Sequence, residues 1–236
     1  MSGRRMIPLA AAACAFALVA AACSDVAPTP PSAAGRPQPS VPRTAISADS
    51  AISNPRVAQA VRRIVAVDDA HGMPFFVIDK TASELYAFDQ DGTLRAQSAV
   101  LLGSARGDRT APGVGDKPIE QVLPEERTTP AGRFVGEPGI NARHEDVVWV
   151  DYDAAVSIHR VITSNANERR LERLRSPSPD DNRISHGCIN VWPEFYETYI
   201  RPAYVTQRPP IYILPEIESF DSMIALRSDP LARAHQ

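Results

Sequence analysis

Residues 54–66 set Val57, Ala60, Val61 and Ile64 on one face at helical spacing, with Asn54 suited to cap and Pro55 to the first turn, which predicts a helix. From Pro74 the period changes. Residues 75–79 are a short apolar run and residues 84–89 alternate. Asp91-Gly92 then marks a turn before the strand-like residues 94–102. Three β segments with short turns predict a meander. Residues 103–130 are loop-rich. Phe134-Val135 and residues 147–152, 155–162 and 210–214 read as further strands. Residues 167–175 read as a helical turn or two whose Arg and Glu residues form a solvated face, followed by a loop over 176–181. Residues 193–200 predict a short helix with Pro193 in its first turn, and residues 217–227 a final one. The chain carries no internal repeat and no glycine-rich phosphate loop.

The head of the chain follows different rules. Arg4 and Arg5 precede an apolar stretch, residues 7–22, that is shorter than a comfortable membrane span and ends in Ala20-Ala21-Ala22. Residues 1–23 therefore read as a signal peptide, with an uncleaved anchor helix or a twin-arginine signal in a poor context as other readings. Val19-Ala20-Ala21-Ala22-Cys23 resembles the lipobox of bacterial lipoproteins, although a Leu is usual where Ala20 stands. Lipidation of Cys23 would tether the mature protein to a membrane; plain secretory cleavage is the alternative. Residues 24–53 begin rich in Pro, Ala and Ser and read as an extended linker. These features place the protein outside the cytoplasm, in the periplasm or cell envelope. What remains is a helical segment, 54–72, one domain's worth of chain over 73–215, and a helix and tail over 216–236.

Charge and cysteine content narrow the chemistry. A net charge of −3 leaves no electrostatic footprint for nucleic acid. Of the three cysteines, Cys14 lies in the signal; if Cys23 is acylated, Cys188 is the only thiol in the mature protein. An unpaired cysteine in an oxidising compartment is either a reactive thiol or a buried structural one.

Its neighbours decide between them. Cys188 lies in Ser185-His186-Gly187-Cys188-Ile189-Asn190. A thiol with an ordinary pKa of about 8.5 is mostly protonated at neutral pH, so a nucleophilic cysteine needs a base or an electropositive pocket. It also needs donors for the oxyanion formed on attack at a carbonyl. Gly187 permits a tight turn that converges backbone N–H groups, and His186 and the strand-borne His159 are the available imidazoles. A zinc site from His159, His186 and Cys188 has no supporting CxxC or HxxxH spacing.

This run, preceded by His159 on a strand, resembles the L,D-transpeptidase catalytic domain, the YkuD-like family. The opening strands over 75–103 and Thr129-Pro130-Ala131-Gly132-Arg133-Phe134, which fits the family's Thr-Pro-x-Gly-x-Phe element, extend the resemblance over roughly 73–215. It implies a mainly β fold, a sandwich-like cradle of mixed sheets with a few short helices, and no metal or organic cofactor. It implies that Cys188 attacks a peptidoglycan stem tetrapeptide at its third residue, expels D-alanine, and passes the acyl group to a second stem peptide as a 3→3 cross-link. His159 matches the base and the backbone carbonyl of Arg160 its orienting partner. Ser185, His186 and Gly187 match the loop shaping the oxyanion site with the Cys188 N–H, and Asn190 matches a supporting or substrate-contacting position.

Two departures stand out. Arg160-Val161 replaces the small residues usual after the base, and residues 160–184 separate His159 from Ser185 by more than is usual. They keep open a hydrolase of the same fold, an L,D-carboxypeptidase or an amidase acting on peptidoglycan or wall-attached protein; a wall-binding module without activity is a third reading, against which the retained His159 and complete Cys188 motif speak. His71 and His144 read as surface residues. Trp149, Tyr152 and Trp192 suit either the cleft or the core. Arg106 and Arg109 suit either a solvated loop or the carboxylates of stem peptides.

Overall fold

The computed structural model describes residues 52–219. The signal, Cys23, nearly all of the linker and most of the predicted final helix lie outside the described residues. Helix α1 (Pro55–Ala66) starts where its cap predicts: the Asn54 side chain accepts from the amides of Arg56 and Val57. The same side chain donates to Asp79 at 2.8 Å, which pins the helix start to the first strand.

A five-stranded sheet has the order β3 (Leu94–Ala99), β2 (Glu84–Phe88), β1 (Phe75–Asp79), β11 (Pro210–Leu214), β5 (Gly132–Val135). The β1–β11 pair is parallel and the others antiparallel. Strand β1 is buried along its whole length because both faces of the sheet are covered. Phe75 and Val77 meet Val57, Val61 and Ile64 of α1, whereas Phe76 and Ile78 face a second core. This is why the sequence shows a continuous apolar run there rather than alternation.

That second core lies against a four-stranded sheet of order β10 (Ile189–Val191), β8 (Val156–Arg160), β7 (Asp146–Asp151), β6 (Glu137–Ile140). Val148, Val150, Ile158, Ile189 and Val191 meet Phe76, Ile78, Ile211 and Ile213 across the gap. Phe195, Tyr196, Ile200 and Tyr204 close one end. They sit on a helical stretch that runs from α3 (Pro193–Phe195) through a π-helical turn (Tyr196–Ile200) into α4 (Arg201–Thr206), past the predicted end at residue 200. The architecture is mainly β, with mixed sheets and a few short helices. Ile64, 4% exposed, should be worth about 2–5 kcal/mol on truncation to alanine. A urea melt reads this, and the Cys188 site, on the far side of the sheet, should keep its reactivity.

Two departures from the predicted elements matter for the site. The strand expected over 94–102 breaks after Ala99, where the chain turns out of the first sheet. Asn182 donates to the Val100 carbonyl at 3.0 Å, and Leu101 and Asn190 exchange two backbone hydrogen bonds of 2.9 Å. Strand β4 (Leu102–Gly103) then pairs with β9 (Arg183–Ser185). This crossover ties the opening meander to the loop that carries Cys188. At the other end, residues 216–218 form a bend, not the start of a helix. The amides of Glu216, Ile217 and Glu218 all donate to the Asp108 carboxylate at 2.7–2.8 Å, which fixes them in a non-helical course.

Asp108 belongs to a buried ionic cluster. The fully buried Lys80 ammonium donates to Asp108 at 2.7 Å, to the Thr129 carbonyl at 3.0 Å and to the Gly107 carbonyl. Glu216 lies 3.7 Å from it and also takes Arg183 at 2.6 Å. No helix among the described residues is long and apolar enough to cross a membrane.

Candidate active site

Strand β8 supplies one wall. Its residues alternate, so Val156 and Ile158 enter the core while Ser157 and His159 share the opposite face. Parallel pairing with β10 sets Asn190 beside His159. The His159 Nδ1 lies 2.7 Å from the Arg160 carbonyl. A carbonyl only accepts, so Nδ1 carries the proton and Nε2 keeps its lone pair, the tautomer a general base requires. Asn190 Nδ2 approaches that Nε2 at 3.4 Å.

The Arg160 side chain has a separate role. It leaves β8 away from His159, donates to Glu197 at 2.7 Å, pairs with Asp146 at 3.0 Å and lies over the Tyr196 ring at 4.2 Å. The Arg160 side chain is thus held by carboxylates, while its carbonyl meets the His159 ring.

The opposite wall is the loop between β9 and β10. Ser185 Oγ donates to the Cys188 carbonyl at 2.6 Å and accepts from the Gly187 amide at 3.1 Å, closing the loop on itself. Thr129 Oγ1 donates to the Gly187 carbonyl at 2.7 Å and accepts from Gly103 N–H at 2.9 Å. The buried hydroxyl of the Thr129-to-Phe134 element is therefore the brace of the cysteine loop. Gly187 has φ +130°, and a Cβ there would stand 3.0 Å from the Thr128 carbonyl oxygen. Gly187→Ala should cost about 1–3 kcal/mol in a denaturant melt and displace the loop, with a parallel loss of Cys188 reactivity.

The half-buried Cys188 thiol donates to the Ala155 carbonyl at 3.5 Å and has Ser157 Oγ at 3.7 Å. Burial pushes the thiol up; the His159 imidazole, helped by Ser157, outweighs it and leaves the thiol below its ordinary value. The pH midpoint for alkylation of Cys188 by iodoacetamide should accordingly lie below that of a free cysteine peptide, and His159→Ala should move it upward.

The structure brings Cys188, His159, Ser185, Gly187, Asn190 and the Arg160 carbonyl into one cluster. Asn190 is fully buried. His186 is half-buried; burial, with the charges of Arg127 and Arg170, holds its imidazole below the ordinary range and so neutral at neutral pH. Arg106 and Arg109 are engaged by the chain's own carboxylates, Asp180 and Glu216 for the first and Glu218 for the second. His71 and His144 are exposed. Trp192 packs against the core, whereas Tyr152 is 76% exposed with its ring on Trp149. Among the described residues no three His, Cys, Asp or Glu side chains gather as a metal-binding group.

Three participants were not singled out from the sequence. Ser157 was available from the period of two on its strand. The Thr129 hydroxyl belongs to the Thr-Pro-x-Gly-x-Phe element, whose sequence alone does not show what it bonds. Arg170, on α2 (Arg170–Arg175), falls in the stretch that reads as a solvated face, yet its side chain is only 11% exposed and donates to Asn190 Oδ1 at 2.5 Å.

No family model and no curated protein matches the chain. It is similar to solved L,D-transpeptidase structures. One, a mutant from Enterococcus faecium, is 16% identical with a TM-score of 0.32, and the match covers 60% of this chain and 49% of that one. The catalytic domain from E. faecium is 17% identical with a TM-score of 0.35, covering 61% and 98%. An L,D-transpeptidase from Mycobacterium smegmatis is 19% identical with a TM-score of 0.35, covering 60% and 58%. The chain thus spans about half the length of the first of these.

Proposed function

We propose that the protein is an exported cysteine acyltransferase, an L,D-transpeptidase that forms 3→3 cross-links between peptidoglycan stem peptides. The observation that carries this reading is a lowered thiol beside a histidine whose tautomer is fixed by the following carbonyl, on a loop that is one family-like element and is braced by Thr129 of the other. The reading extends to the chain's organisation: a signal and linker over residues 1–53, the helical segment 54–72, the catalytic domain 73–215 and a tail.

The proton of Cys188 Sγ passes to His159 Nε2, and the thiolate attacks the carbonyl of the third residue of a tetrapeptide. The Gly187 N–H is committed to Ser185 Oγ, so the amides of His186 and Cys188 are those left to meet the oxyanion. Collapse breaks the bond to the terminal D-alanine, whose amine takes the proton from the imidazolium. The side-chain amine of a second stem peptide then attacks the thioester, gives its proton to His159, and releases the Cys188 thiolate.

The Arg160 guanidinium is held by Asp146 and Glu197. Intact-protein mass spectrometry during incubation with a tetrapeptide donor should show an adduct on Cys188 equal to the donor less D-alanine. Absence of any adduct, with the donor unchanged, would contradict the reading.

A further inference from the structure

Residues 160–184 are where the chain departs most from its family resemblance, and one side chain from them enters the site. Arg170 stands at the start of α2 and turns inward. Its Nε pairs with Glu168, and its Nη1 donates to Asn190 Oδ1 at 2.5 Å. A guanidinium has no acceptor, so this contact fixes which end of the buried Asn190 carboxamide is oxygen. Nδ2 must then point the other way, and it does: it lies 3.4 Å from His159 Nε2 and 3.4 Å from the Cys188 carbonyl.

We propose that Arg170 is a positioning residue for the Cys188–His159 pair, acting through the Asn190 carboxamide. The inference rests on the acyl-transfer reading of that pair. Glu168 balances the Arg170 charge, so what the guanidinium supplies is orientation more than field. The paired and largely buried side chain is poorly placed to be a substrate's counter-ion. Without it, Asn190 Oδ1 is a buried acceptor without its donor, and the amide is released to rotate. A half-turn would present Oδ1 to Nε2, setting two acceptors face to face while the histidine is neutral and drawing the Nε2 proton away from sulfur once it is charged. Residues 160–184 are on this view a strut for the base.

Alkylation of Cys188 by iodoacetamide tests this without any stem peptide. Arg170→Met should slow it at neutral pH by about fivefold or more, the scale of coupling between side chains in contact. Asn190→Ala should slow it comparably, and the double variant should be no slower than the slower single one. Arg170→Lys should recover part of the rate. If R170M does not fold, Glu168→Gln carries the test, since it removes the anchor of the guanidinium and should slow alkylation measurably. An R170M or E168Q rate equal to wild type, or single effects that multiply in the double variant, would overturn the proposal. Failure of the acyl-transfer reading would instead show as a wild-type thiol that alkylates as described yet yields no acylated or cross-linked product.

Discussion

Cys188→Ala should reduce D-alanine release and dimer formation from tetrapeptide muropeptides to background, a loss of at least about 10³-fold, because among the described residues no other thiol can hold the acyl chain between the two half-reactions. The surroundings should survive the change. Ser185 and Thr129 brace the loop through backbone atoms of Gly187 and Cys188, so the variant should melt close to wild type. His159→Ala should cost about 10²–10⁴-fold, the scale of a positioned general base. Chromatography of the muropeptides with a thermal melt of each variant checks both statements. Unchanged function in C188A would instead support a binding module on a retired site.

Lys80→Met carries the largest expected effect on stability, about 3–5 kcal/mol in a urea melt. The methionine fills much the same space but leaves Asp108 and Glu216 buried without their shared cation. It also removes the donor to the Thr129 carbonyl, so the brace of the cysteine loop should loosen along with the fold. The same cluster sets a pH dependence. Burial alone would raise the Asp108 carboxyl; the Lys80 hydrogen bond and three backbone amides overcome it and hold the group down to about 2. A carboxyl lowered in the folded state contributes stability that is complete above its unfolded value and is lost as pH falls through the folded one. About 2 kcal/mol should therefore disappear between roughly pH 5 and pH 2. Asp108→Asn should flatten that part of the curve. A K80M protein within about 1 kcal/mol of wild type would show that the buried cluster does not hold the fold together.

The elements that could be read from the sequence are those whose signals are local. The Asn54 cap, the helical face of α1 and the apolar strands β1, β2, β8 and β11 each declare themselves through spacing within a few residues. Strand β6 did not, because an edge strand containing Pro138 and Gly139 has no buried face to advertise. Strands β4, β9 and β10 have two or three residues each, and they exist through long-range pairing that no local pattern encodes. The same division runs through the site. Cys188, His159 and Asn190 were legible because the motif around them is specific. Arg170 was not, since a short charged helix looks the same in sequence whether its arginines face water or an asparagine twenty residues on. The bend at residues 216–218 depends on a carboxylate more than a hundred residues earlier, which is why a helix was the natural expectation there.

Incubation of the wild-type catalytic domain with purified tetrapeptide muropeptides, followed by mass-spectrometric sequencing of the products, tests the central claim most directly. The account predicts dimers joined between the third residues of two stems, with one D-alanine released per cross-link. Tripeptides and D-alanine without dimers, or an unaltered substrate, would contradict it.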